Sequence, residues 1–249
     1  MTQASAADHA DAARLAEEAG RLLLGIRTRI DDGEAASHVK DEGDLRSHEL
    51  LMDRLHETHP DDAVLSEEGA DDPVRLGADR VWIIDPLDGT REFGEPPRTD
   101  WAVHVALVID GEPVAGAVAL PARGLVLSTA APPTLAPPTD GRPRVVVSRT
   151  RPPAEADRLV AALGGELVAM GSAGAKAMAV VLGDADVYPH AGGQYEWDSA
   201  APVAVAARAG LHVSRLDGSP LRYNRPDAWM PDLLICRPEL ADPVLAALA

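Results

Sequence analysis

Residues 80–94 read RVWIIDPLDGTREFG, and the rest of the chain is interpreted around them. Residues 81–84 form a short apolar run of strand length, although periodicity alone does not distinguish a buried strand from a helix. Asp85 and Asp88 follow, on either side of a proline that fixes φ and lacks an amide donor. Gly89 then permits a tight turn or a close approach to a ligand. The pattern predicts a strand that ends in two carboxylates and a turn.

This strand end has two interpretations. Two carboxylates three residues apart can hold a hard divalent cation through oxygen. The amides of Gly89 and Thr90 suit a phosphate group if they begin a helix. Alternatively, the stretch is an ordinary strand–turn–helix junction in which Asp88 caps the helix. Residues 80–94 by themselves leave both interpretations open.

Other acidic residues favour the metal site, because they also stand at the predicted ends of elements. Glu67 and Glu68 follow a short strand, 63–65, whereas Asp44 and Asp198 stand where helices are predicted to begin. Taken singly, Asp44 and Asp198 can each be a helix cap. A purely structural account must explain every acid separately, whereas one metal-centred site explains them together.

Composition restricts the class of protein. The chain has 249 residues, 46% hydrophobic and 25% charged, as expected of a soluble globular protein. Its net charge of −17 argues against nonspecific binding to nucleic acid or anionic membranes, although acidity can also serve solubility alone. The sequence shows neither an apolar run of about 18 residues nor a signal-peptide pattern, which predicts a cytoplasmic protein. Cys236, the single cysteine, excludes an intrachain disulfide and is interpreted as a small core residue.

The order of elements predicts two domains. A long helix, 8–30, a polar loop, 31–43, and a second helix after Asp44 precede a set of antiparallel strands at 101–109, 113–120 and 124–129. Residues 130–141 contain four prolines and mark the boundary. We therefore expect an N-terminal α+β domain, 1–141, and a C-terminal α/β domain, 142–249.

Strands and helices alternate in the second domain. Strands are predicted at 144–148, 166–170, 185–188, 211–215 and 232–236, and helices at 153–163, 173–182 and 198–209, before a terminal helix. The predicted fold is a layered α/β/α/β arrangement, with Asp198 completing a metal site that the first domain begins.

Four motifs resemble, in this order, the inositol monophosphatase-like family of metal-dependent, lithium-sensitive phosphatases. They are LSEE at 65–68, WIIDPLDGT at 82–90, GS at 171–172 with Lys176, and WD at 197–198. The REF that follows Thr90 is similar to the branch of CysQ-type 3′(2′),5′-bisphosphate nucleotidases, whereas the inositol branch usually has TNF. One departure is the segment VKDEGD at 39–44, which is shorter than the family's and lacks its SPVT. Asp44 is the best match to the final aspartate of that segment.

The resemblance implies a site that holds two or three Mg²⁺ ions. The implied metal ligands are carboxylates and one backbone carbonyl: Glu67, Asp85, Leu87 (through its carbonyl), Asp88 and Asp198. Glu68 would lie beside them. The implied catalytic set is Asp44, Thr90 and Glu67, with Thr90 and Asp44 positioning and deprotonating a water molecule. A dianionic phosphate ester needs such cations near this acidic protein.

Substrate contacts are expected at two places. The amides of Gly89 and Thr90 would hold the phosphate, and the second domain would contribute Gly171, Ser172, Lys176, His190 and Tyr223. Lys176 would meet a second phosphate, although it can also face solvent on an amphipathic helix. Tyr223 would offer a flat face to adenine, although an ordinary packing role fits its position equally well.

Three functions are compatible with these features. The resemblance implies Mg²⁺-dependent hydrolysis of the 3′-phosphate of adenosine 3′,5′-bisphosphate to AMP, a reaction related to sulfate assimilation, with inhibition by Li⁺. An inositol phosphate or sugar phosphate substrate is the alternative within the same chemistry. A metal-dependent nucleotide-binding protein without turnover is the third, and the complete ligand set argues against it. The expected partner is a small phosphate ester rather than a nucleic acid polymer or a membrane, and the sequence allows a homodimer.

Overall fold

The apolar run of the central stretch lies in strand β2 (Arg80–Asp88), which is buried on both faces. Trp82 and Ile84 pack in one hydrophobic core, and Val81 and Ile83 pack in another. A strand with two buried faces has a continuous apolar sequence instead of an alternating one. The position of β2 between two cores therefore explains why its sequence lacks periodicity.

The computed structural model describes residues 3–138 and 141–249. The first sheet contains β2 together with β1 (Ala63–Ser66), β3 (Ala102–Ile109), β4 (Glu112–Leu120) and β5 (Leu125–Ser128). Its strand order is β1-β2-β3-β4-β5, with β1 parallel to β2 and the remaining neighbours antiparallel. Helices α1 (Ala6–Asp31) and α2 (Ala36–Thr58) cover one face, and a single short turn, α3 (Thr90–Phe93), follows β2.

The second sheet consists of β6 (Arg144–Ser148), β7 (Glu166–Met170), β8 (Val187–Tyr195), β9 (His212–Ser214) and β10 (Trp229–Cys236). Its strand order is β7-β6-β8-β10-β9. Helices α5 (Ala173–Leu182) and α6 (Glu196–Arg208) pack in the core between the two sheets. Helices α4 (Ala154–Leu163) and α7 (Ala241–Leu248) pack on the outer face of the second sheet.

The predicted mixed α/β class with layered sheets and helices is confirmed, and α4 and α7 add an outer helical layer to it. The proposed division near residue 141 stays a prediction. Within the Pro-rich segment 130–141, residues 139–140 lie outside the described residues.

The two largest errors in the predicted boundaries concern α2 and β8. Helix α2 begins at Ala36, so most of the predicted loop 31–43 is helical and Asp44 lies inside the helix instead of capping it. The segment lacks a proline that would stop the helix, and its Val39 is fully buried against the first core. Strand β8 runs to Tyr195, beyond the predicted end at residue 188, because its pairing with β10 continues to that residue.

Cys236 is fully buried, which confirms its predicted place in the core. Burial raises the pKa of its thiol to about 12. Among the described residues, no helix combines the length and the apolar character that crossing a membrane requires.

Candidate active site

Three aspartates converge where β2 ends and α6 begins. Ser66 at the end of β1 lies beside Ile84 of the parallel strand β2, so Glu67 and Asp85 follow at the same sheet edge. Asp198 stands in the first turn of α6. Oxygen atoms of Asp85, Asp88 and Asp198 all lie within 4.8 Å of one another. Side chains from both halves of the chain therefore form one carboxylate cluster.

Asp88 is held from the second half of the chain by the start of α5. Its oxygens accept hydrogen bonds from the backbone amides of Ala173 (3.0 Å) and Gly174 (2.6 Å) and from the hydroxyl of Ser172. Backbone donors at a helix N-terminus stabilise negative charge. These contacts orient Asp88 and keep its carboxylate ionised.

His104 on β3 is a residue of this site that sequence reasoning missed. Its imidazole is fully buried, Nδ1 lies 3.0 Å from the carbonyl oxygen of Trp197, and Nε2 lies 3.2 Å from Oδ2 of Asp88. Burial alone would lower the pKa of His104 and raise that of Asp88. Their mutual attraction outweighs burial, so the pKa of His104 is raised and the pKa of Asp88 is lowered. The available signal was a histidine in the otherwise apolar strand that the sequence predicts at 101–109.

The other acids of the cluster repel one another. Burial, followed by the charge of Glu67, raises the pKa of Asp85 well above its usual value. Loss of water around the carboxylate, and then the charge of Asp198, raise the pKa of Glu67 to about 7. Burial and the charge of Asp88 raise the pKa of Asp198 to about 6. A divalent cation would relieve this repulsion, and an all-oxygen donor set suits Mg²⁺, so these residues fit a metal site.

Gly89 and Thr90 turn the chain from β2 into α3. Gly89 has a φ of +85°, and a Cβ atom there would lie 3.0 Å from Cβ of Ser172, so this turn requires glycine. Thr90 Oγ1 lies 3.3 Å from Oδ1 of Asp44 and 3.2 Å from the carbonyl oxygen of Leu87. Burial, and then the charge of Glu68, raise the pKa of Asp44 to about 7. The structure thus brings together the threonine and the aspartate that were predicted to act on water.

A cavity of about 590 Å³ opens beside this cluster. Its lining includes the predicted site residues Glu67, Asp88, Gly89, Thr90, Gly171, Ser172, Lys176, His190 and Asp198. Lys176 is only 5% exposed, and its Nζ donates a hydrogen bond to the carbonyl oxygen of Ser172 at 2.5 Å. The solvent-facing alternative for Lys176 is therefore wrong.

Tyr223 lies outside the lining of this cavity, in contrast to its predicted place against adenine. The side chain is 2% exposed and packs in the core between the sheets, with its hydroxyl 3.2 Å from that of Ser199. The loop after residue 220 runs back to the turn between β3 and β4, where the amide of Tyr223 donates to the carbonyl of Gly111, and this contact accompanies the inward position of the ring. Its packing role is the correct interpretation.

The fold and the carboxylate cluster agree with a comparison against known families. Residues 4–134 and 138–249 match the inositol monophosphatase family. The chain therefore belongs to the inositol monophosphatase family, as its motifs predicted.

Individual relatives narrow this assignment. A Mycobacterium leprae protein named 3′-phosphoadenosine 5′-phosphate phosphatase is 54% identical, over 98% of this chain and 93% of its own. The Escherichia coli K12 3′(2′),5′-bisphosphate nucleotidase CysQ is 34% identical, over 87% of this chain and 94% of its own. The crystal structure of CysQ from Bacteroides thetaiotaomicron superposes with a TM-score of 0.74 at 31% identity, covering 93% of this chain and 96% of that one.

Proposed function

We propose that this protein hydrolyses the 3′-phosphate of adenosine 3′,5′-bisphosphate, releasing AMP and inorganic phosphate. The observation that carries the proposal is the cluster of Asp85, Asp88 and Asp198 at one wall of a cavity of nucleotide size. The names of the relatives supply the substrate, because the relatives match almost the whole chain at up to 54% identity.

The carboxylates would hold Mg²⁺ in the way the resemblance implies. Glu67, Asp85 and the carbonyl of Leu87 would bind one ion, and Asp88 and Asp198 would share Asp85 in binding a second. When bound, Mg²⁺ supplies positive charge that neutralises phosphoryl oxygens and favours the ionisation of water. Asp88 can keep its negative charge throughout, since α5 and His104 stabilise it.

The chain's own groups would position the phosphate and move the proton. Gly89 and Thr90 line the cavity, and their amides would donate to phosphoryl oxygens. Asp44 has a pKa raised to about 7, which suits a group that accepts a proton near neutral pH. Thr90 links Asp44 to this turn and would orient the attacking water.

Phosphate release from a panel of substrates tests the proposal. We expect hydrolysis of adenosine 3′,5′-bisphosphate with Mg²⁺, none with EDTA, and inhibition by Li⁺, which the family resemblance alone implies. Inositol 1-phosphate and fructose 1,6-bisphosphate should be poorer substrates. Faster hydrolysis of either would establish the alternative phosphatase function, and absence of all turnover with Mg²⁺ would contradict both.

A further inference from the structure

Aromatic side chains gather at one part of the cavity wall. The chain contains only four Trp, three Tyr and one Phe. Tyr195, Trp197 and Trp229 all line the cavity, and we call these three residues the aromatic wall. Tyr195 is 47% exposed and Trp229 is 44% exposed, although large aromatic rings are usually well buried. Two rings that are nearly half exposed, in a chain with so few aromatic residues, indicate a binding surface.

The aromatic wall is organised by packing. The rings of Tyr195 and Trp197 are stacked, with centroids 4.7 Å apart and planes inclined by 9°. Tyr195 and Trp229 are direct cross-strand partners at the ends of β8 and β10. The three side chains are therefore held together by a sheet end and by one stacked pair.

The indole of Trp229 packs against the backbone at Gly193, where only glycine leaves enough space for it. A Cβ atom at Gly193 would lie 2.5 Å from Nε1 of Trp229, and the φ of Gly193 is +93°. The His190 ring nitrogen Nε2 lies 2.9 Å from the carbonyl oxygen of Gly193 and fixes this turn. His190, which is expected to touch the substrate, lines the cavity and also supports the residue beneath Trp229.

The aromatic wall adjoins the carboxylate cluster. The amide of Tyr195 donates to Oδ2 of Asp198 at 2.6 Å, and Trp197 immediately precedes Asp198. The carbonyl of Trp197 accepts from His104, which lies against Asp88. A phosphate ester whose phosphate lies at the carboxylates would therefore extend its organic part beside the exposed rings.

We propose that Tyr195 and Trp229 stack on the nucleobase of the substrate and thereby select nucleotides over base-free phosphate esters. This inference rests on the proposed function. Every nucleobase has a flat π-face that stacks on aromatic side chains, whereas a polyol such as inositol has none. Stacking tolerates different bases, so these rings distinguish a nucleotide from a sugar phosphate more strongly than adenine from guanine.

The first test compares two substrates that differ only in the base: adenosine 3′,5′-bisphosphate and ribose 3,5-bisphosphate. In Trp229→Leu we expect the ratio of kcat/KM for the nucleotide to that for the base-free ester to fall about five- to 150-fold, mainly through KM. Tyr195→Leu should act in the same direction. Trp229→Phe, which keeps a ring, should restore most of the ratio. Leu167→Ala, at a 45% exposed residue outside the cavity lining, is the control.

The second test is independent of turnover. Trp82 and Trp101 are fully buried, so quenching of tryptophan emission by AMP in the presence of Mg²⁺ would report on the two tryptophans of the aromatic wall. We expect quenching in the wild-type protein and a much smaller change in Trp229→Leu, with thermal unfolding confirming that the variant is folded.

Different results would contradict the stacking proposal and the proposed phosphatase function. Wild-type turnover of adenosine 3′,5′-bisphosphate with an unchanged substrate ratio in Trp229→Leu would overturn the stacking proposal and leave the proposed function standing. A wild-type protein that does not hydrolyse this nucleotide would overturn the proposed function, and the AMP titration would still decide whether the rings bind a base. Equal quenching in the wild-type protein and in Trp229→Leu would contradict stacking on Trp229.

Discussion

Nε2 of His104 lies 3.2 Å from Oδ2 of Asp88, and the contact is closed to solvent. His104 also faces Asp85 across the β2–β3 ladder, so one imidazole lies beside two of the three clustered aspartates. The distance is that of an ion pair, although the ring nitrogen is not aligned for a hydrogen bond. Its charge acts in a site with little screening by water, where electrostatic contacts are strong.

Replacing His104 should weaken metal binding. Groups that orient metal ligands typically contribute 10- to 100-fold to metal affinity, so we expect His104→Leu to raise the Mg²⁺ concentration for half-maximal activity by about that factor. His104→Gln keeps an amide donor and should recover part of the loss. The measurement is Mg²⁺-dependent phosphate release, supported by the shift of Tm with Mg²⁺. A half-saturation point equal to that of the wild-type protein would contradict this role.

The stabilising effect of Mg²⁺ should grow with pH. Glu67 and Asp198 have pKa values raised to about 7 and about 6, so their protonated forms favour the folded state. That stabilisation is present at low pH and is lost as the pH rises through these values. The Tm difference between samples with Mg²⁺ and with EDTA should therefore be larger at about pH 8 than at about pH 6. A Tm difference that does not change with pH would show that the carboxylates of the cluster do not repel one another in the metal-free protein.

Removing one charge of the cluster should abolish turnover without loss of the fold. Asp88→Asn is a poor choice, because an amide NH₂ group would face the donors at the start of α5. Asp198→Asn keeps an oxygen that can accept from the amide of Tyr195. We expect kcat to fall by orders of magnitude, while the metal-free Tm rises because repulsion is relieved. Wild-type kcat in this variant would contradict the metal-centred mechanism.

Lys176 should contribute to selection of a second phosphate. Lys176→Met should reduce kcat/KM for adenosine 3′,5′-bisphosphate more than for inositol 1-phosphate, since a contact remote from the reacting bond affects only substrates that have the remote group. Arg151, an exposed residue of the cavity lining, is the matched comparison. If Arg151→Met shows the selective loss and Lys176→Met lowers kcat/KM equally for both substrates, Arg151 is the cation that binds the second phosphate.

The sequence predicted well those features that local patterning controls. Residues 144–148 and 173–182 have the boundaries predicted for them, because β-branched runs and a glycine stop define them locally. The family motifs also predicted which acids cluster, since Asp85 and Asp88 lie in the last part of the motif that β2 carries and Asp198 lies in the first turn of α6. Asp44 was placed correctly beside Thr90 and wrongly at a helix start, because the polar residues before it lack a proline and Val39 among them is buried, so α2 continues through them.

The features that the sequence did not predict depend on contacts between residues far apart in the chain. His104 lies in an apolar strand, and only its register opposite Asp85 gives it a role. Tyr223 follows a loop whose direction is set by pairing with Gly111, which no local pattern reveals. Tyr195 and Trp229 are 34 residues apart in sequence, and strand pairing between β8 and β10 makes them neighbours.

The hydrogen bonds from the start of α5 to Asp88 have a consequence for when the site forms during synthesis of the chain. The carboxylate belongs to the first sheet, yet its partners are residues 172–174, and the last acid of the cluster is residue 198 of 249. Domains that emerge first from the ribosome can fold first, so β2 can form while Asp88 still lacks its partners. The acidic site is therefore completed only after about four-fifths of the chain has been synthesised, and shorter nascent chains cannot bring these acids together.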